Sequence, residues 1–65
     1  MIKRTVKRLS DGKIFEIETR FIAGEGWRGF FKIDGLKISR KMYFITDRNF
    51  YIKISCFKFD FKIID

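Results

Sequence analysis

The chain has 65 residues, 46% of them apolar and 18% aromatic, with fifteen Lys and Arg against eight Asp and Glu for a formal charge of +7. A chain this short buries only about 60% of its unfolded surface and has no room for a second domain or a solenoid, while nine Phe and one Trp exclude disorder. With no His and one Cys, the usual Ser-His and Cys-His nucleophile pairs, imidazole metal sites, thiolate zinc clusters and intramolecular disulfides are excluded as well.

Period-two alternation runs through nearly the whole chain, with turn residues between the runs, and predicts strands. The first strand covers Ile2 to Leu9 and the second Ile14 to Ile22, joined by Ser10-Asp11-Gly12-Lys13. Asp11-Gly12 is the signature of a two-residue type I′ turn, which sets Val6 opposite Ile17 and Ile2 opposite Phe21. Lys7 then faces Glu16 and Thr5 faces Glu18, so an apolar face and a charge-matched face arise together. Ala23-Gly24-Glu25-Gly26 is a flexible connection to a second hairpin over Trp27–Ile33 and Leu36–Lys41. Its turn is Asp34-Gly35, with Ile33 opposite Leu36, Phe31 opposite Ile38 and Gly29 opposite Arg40.

Met42–Thr46 continues that strand or starts a short new one, and Asp47-Arg48-Asn49 is a turn. Ile38, Met42 and Ile45 also have helical spacing, so a helix over Ser39–Ile45 is the alternative, disfavoured by β-branched and aromatic enrichment. From Phe50 the apolar positions are even-numbered to Cys56, then odd-numbered from Phe57 to Ile63. One strand cannot keep a buried face through that switch without a bulge, a bend or a break near Ser55-Cys56. A bend there would point both Ile54 and Phe57 into the core. The expectation is a single all-β domain over residues 1–65. It is a bent antiparallel sheet of five or six strands, closing into a barrel or sandwich of the SH3-like or OB-like sort.

Charge is uneven along this pattern. Lys3, Arg4, Lys7 and Arg8 crowd the first strand, and Arg28, Lys32, Lys37, Arg40 and Lys41 crowd the second hairpin. Clustered cations are the footprint of a polyanion binder, although lysines also protect edge strands from aggregation. If Trp27, Gly29, Phe31 and Ile33 face inward, then Phe30 stands outside between Arg28 and Lys32. Lys37, Ser39 and Lys41 share that face, and Tyr43 is next in parity. A cationic sheet face with outward aromatics is what single-stranded nucleic acid uses, through stacking and backbone neutralisation.

Other features carry less. Gly24-Glu25-Gly26-Trp27-Arg28-Gly29 lacks the Lys-Ser/Thr of a phosphate-binding loop and leads into a strand, so it reads as a turn. Glu16 and Glu18 are expected about 7 Å apart on one strand face, with Lys7 opposite Glu16, and Cys56 reads as a small hydrophobe. No catalytic residues, metal or cofactor are therefore expected, and the chain is read as a non-enzymatic module.

The primary reading is nucleic-acid binding through Arg28, Phe30, Lys32, Lys37, Arg40, Lys41 and Tyr43, with Lys3, Arg4, Lys7 and Arg8 as a second patch. The alternative is a small inhibitor, phage-encoded in style, that docks its basic face on an acidic site of a host nucleic-acid-processing or defence enzyme. Phe57–Ile63, with its Phe face and its Lys and Asp face, either closes the barrel or pairs with a second copy as a homodimer. The lone thiol of so small a domain suggests a reducing cytoplasm, a host's were the gene viral. No apolar run follows Met1-Ile2-Lys3-Arg4 as in a signal peptide, and none approaches the roughly 18 residues of a membrane span. Phe, Ile, Tyr, Met, Asn and Lys together make up 34 of the 65 residues, as AT-rich coding sequence of a low-GC bacterium, an archaeon or a virus would yield, so arrangement has to carry the functional argument.

Overall fold

The structure, a computed structural model, describes residues 2–65. Its strands are β1 (Ile2–Arg8), β2 (Ile14–Ile22), β3 (Gly26–Ile33), β4 (Leu36–Lys41), β5 (Tyr43–Phe44), β6 (Asn49–Ile54) and β7 (Phe57–Ile63). All pairs are antiparallel, in the spatial order β4-β3-β2-β1-β7-β6-β5. The two edge strands, β4 and β5, are consecutive in the chain and separated by Met42 alone. One residue can join both edges only if the sheet curls until they meet, and the result is a nearly closed barrel. The all-β barrel expected from alternation is thus present, with seven strands where five or six were expected.

The Asp34-Gly35 hairpin forms in the predicted register, Ile33 with Leu36, Phe31 with Ile38 and Gly29 with Arg40. Both turn residues have positive φ, 51° and 81°, as a type I′ turn requires. The first hairpin differs. Val6 pairs with Phe15, Lys7 with Ile14, Thr5 with Glu16 and Ile2 with Thr19, a slip of two residues from the predicted pairing. Its cause is local to Asp11. The carboxylate accepts from the Lys13 backbone N–H at 3.1 Å and from Arg8 Nη2 at 2.6 Å, while Gly12 N–H donates to the Arg8 carbonyl at 2.7 Å. These bonds hold a four-residue loop, Leu9–Gly12, open where a two-residue turn was expected. A slip of two preserves parity, so each side chain keeps its predicted face.

The parity switch near Ser55-Cys56 is a break. These two residues form a hairpin turn, with Ser55 at φ 57° and Ile54 paired directly with Phe57. The expected bend that buries both flanking residues is therefore overturned: Ile54 packs partly against the core, whereas Phe57 is 63% exposed at the barrel end. Ser39–Ile45 is extended, without helix. The core is Val6, Ile17, Phe31, Met42, Phe50, Ile52, Phe61 and Ile63. At its centre the Phe50 and Phe61 rings stack at 5.4 Å and 8°, with Phe31 at 5.3 Å from Phe61. Each such side chain contributes on the order of 1.5–3 kcal/mol by leaving water.

Candidate nucleic-acid interface

Alternation on β3 buries Gly29 and Phe31 and leaves Arg28, Phe30 and Lys32 on the outer face, as the sequence predicts. Cross-strand pairing then sets cation against cation. Arg20 on β2 stands opposite Arg28, and Arg28 opposite Lys41, a row of three across three strands. Lys32 faces Lys37 in the same way. Like charges directly opposite one another destabilise a sheet, so this array costs the fold something. Arg28 is eased by donating from Nε to Ser39 Oγ at 2.7 Å and by Glu25 at 3.8 Å. Among the described residues Arg20, Lys32, Lys37 and Lys41 take part in no ion pair. Phe30 lies between the rows, half-buried, with the Arg20 guanidinium 5.7 Å from its ring centre.

Past Lys41 the chain crosses the seam and adds aromatics to this face. Tyr43 pairs with Tyr51 on β6, and the rings stack at 5.0 Å and 10°. Lys41 Nζ and Lys53 Nζ lie 5.3 and 5.8 Å from the Tyr43 ring, and Lys58 Nζ lies 4.6 Å from that of Tyr51. Cations over aromatic faces attract the rings' quadrupole. Tyr51, Lys53, Lys58 and Arg20 were missed by sequence reasoning, because their membership depends on which strands meet across the seam. The sequence signal for Tyr51 is only its outward parity between the buried Phe50 and Ile52.

The remaining candidates do not join this surface. Arg40 shares the parity of Ile38 and Met42, opposite Gly29, and donates from Nη1 to the Ser39 carbonyl at 2.9 Å. The first-strand cluster splits by face. Lys3 and Lys7 point outward, Lys3 lying 3.8 Å from Glu16 and Lys7 opposite Lys62. Arg4 and Arg8 lie on the inner parity and are paired, Arg4 with Asp65 at 3.0 Å and Arg8 with Asp11 at 2.6 Å. The Arg8 hydrogen bond, helped by the Lys13 N–H, lowers the Asp11 pKa to about 2. The Thr5 N–H, followed by Arg4, lowers that of Asp65. These two ion pairs serve the fold.

β7 lies between β1 and β6, so much of the edge that strand addition by Phe57–Ile63 needs is already used. Among the described residues no three His, Cys, Asp or Glu side chains gather around a metal site, and no helix is long and apolar enough to cross a membrane. Compared with family models, with curated proteins and with solved structures, the chain matches none.

Proposed function

We propose that this protein is a non-enzymatic module that binds single-stranded nucleic acid along the outer face of β2–β6. The observation that carries the reading is the row Arg20–Arg28–Lys41 with the pair Lys32–Lys37, cations set against cations at a cost that a polyanion would repay. Phe30, Tyr43 and Tyr51 are rings within that field, suited to stacking on bases. Arg28, Lys32, Lys37 and Lys41 neutralise phosphates; Arg40 is left out.

Fluorescence anisotropy with labelled single-stranded DNA, duplex DNA and RNA at several salt concentrations tests this. Engagement of about four phosphates predicts a slope of log K against log salt near −3 for a single strand. Binding that is absent, or indifferent to salt, removes the reading. Failure with all three probes, together with capture of an acidic protein from nuclease-treated lysate, would support a protein-directed inhibitor in its place.

A further inference from the structure

One end of the barrel is open. A cavity of about 530 Å³ lies there, walled by Trp27, Met42, Phe44 and Ile45, with Arg4 and Asp47 among its polar groups. That volume falls in the range of small-molecule sites, and an apolar wall with few polar groups is their usual composition. Arg4 spends its Nε on Asp65 and keeps its terminal nitrogens for another acceptor. Asp47 is exposed and, among the described residues, in no ion pair. The wall includes exposed apolar surface, Ile45 being 64% exposed, and beside it Phe21, edge-on to Trp27 at 5.5 Å, is 62% exposed.

Position decides what this mouth would hold. Phe21 stands opposite Trp27, whose carbonyl accepts from the Met42 N–H at 3.0 Å. These three residues are the chain neighbours of Arg20, Arg28 and Lys41 and have the opposite, inward parity. The cationic row thus runs along the outer lip of the apolar cavity, and Tyr43 outside is followed by Phe44 inside. An occupant that is anionic at one end and flat and apolar at the other matches both surfaces, which describes a nucleotide.

We infer that the mouth receives one unstacked base of the strand whose phosphates lie on the Arg20–Arg28–Lys41 row, an inference that rests on the proposed reading of the outer face. The base stacks against Trp27 and Phe44, with the Asp47 carboxylate accepting from its amino or imino groups and the Arg4 guanidinium donating to its carbonyl or ring nitrogen.

Trp27 is the only tryptophan and reports on the cavity directly. The probes are a labelled ten-nucleotide single-stranded DNA of mixed sequence and the same backbone with every base replaced by an abasic spacer. Label anisotropy reads binding, and tryptophan emission reads the mouth. The normal strand should bind and change Trp27 emission. The abasic strand should bind at least about 5- to 150-fold more weakly, because it loses the base in the mouth as well as any stacked on Phe30, Tyr43 and Tyr51, and the unchanged Trp27 emission is what assigns part of that loss to the mouth. Ile45→Ala, which trims an exposed wall residue, should narrow the gap between the two strands, whereas Lys41→Glu should weaken both. Equal affinity for the two strands, or an emission change that the abasic strand reproduces, overturns the base pocket and leaves the outer track standing. Loss of binding to both strands overturns the track and the pocket together.

Discussion

A methyl group placed on Gly29 would stand 2.6 Å from Cε1 of Phe31 and 3.2 Å from Sδ of Met42. The Phe31 ring has little room to retreat, because it is 2% exposed and has Phe61 at 5.3 Å and Phe50 at 6.5 Å. The bare α-carbon of Gly29 is what lets Phe31 lie across the inner face of its own strand. Gly29→Ala should therefore destabilise by about 1–3 kcal/mol, as overpacking a filled core does. For a domain of this size each kcal/mol moves Tm by roughly 4–8 °C. An unchanged melting curve would mean that the ring moves aside freely.

Lys41 and Lys32 each face a cation, Arg28 and Lys37, so reversing their charge converts a repulsive cross-strand pair into an attractive one. The Lys32→Glu, Lys41→Glu variant should fold at least as well as the parent, with a gain of up to about 1 kcal/mol per pair. Its affinity for single-stranded DNA should nevertheless fall, and the salt slope should shrink by about 0.7 for each phosphate that is no longer neutralised. Thermal unfolding and anisotropy on the same preparation check both halves. Native affinity in a stable variant would show that the array faces no polyanion.

The break at Ser55-Cys56 gives its two neighbours different fates. Phe57→Ala removes a ring that is already 63% exposed and should change stability by no more than about 0.5 kcal/mol. Phe61→Ala empties the centre of the core at a cost of about 3–5 kcal/mol, comparable to all that a core this small supplies. Ile54→Ala, half-buried, falls between them. Denaturant titration of the three variants should rank them in that order, and an unfolded Phe57→Ala would contradict its place at the barrel end.

Asp11 and Asp65 both bind protons more weakly in the folded chain than in the unfolded one, Asp11 with a pKa of about 2. Their contribution is accordingly present above the ordinary carboxylate range near pH 4 and is lost as pH falls below it, that of Asp11 toward about 2. The parent's Tm should drop over that interval. A variant carrying Asp11→Asn and Asp65→Asn should start lower at neutral pH and decline less, so parallel curves would remove both groups from the acid response.

Particular residues show what the sequence could reveal. Asp34-Gly35 was legible to the register because turn chemistry alone decides it. Asp11-Gly12 carries the same letters, yet the Asp11 side chain finds Arg8 and the Lys13 N–H and opens the loop. Dipeptide signals do not contain that competition. The parity switch at Ser55-Cys56 was plain, but the dipeptide has no Gly, Asn or Asp to supply the positive φ of a two-residue hairpin, so nothing local separated a turn from a bend. On the outer face Arg28, Phe30, Lys32, Lys37, Lys41 and Tyr43 follow from parity, and parity also sets Arg40 apart from them. Tyr51 and Arg20 depend on long-range pairing, which alternation does not encode.

Met42 divides the chain into two meanders, β1–β4 and β5–β7, each paired only between sequence neighbours. The ladder that joins them is short, Val6 with Ile63, Lys7 with Lys62 and Arg8 with Phe61, and it is the pairing of greatest sequence separation. Local hairpins form quickly and distant pairings wait on loop closure, so this ladder is expected to close last. Until it closes, each chain is a pair of arms hinged at one residue. A neighbour's β5–β7 arm offers β1 the same hydrogen bonds, and short hinges favour that exchange. Crowded chains would then trade arms across the hinge, and each barrel in the resulting pair would be built from two molecules.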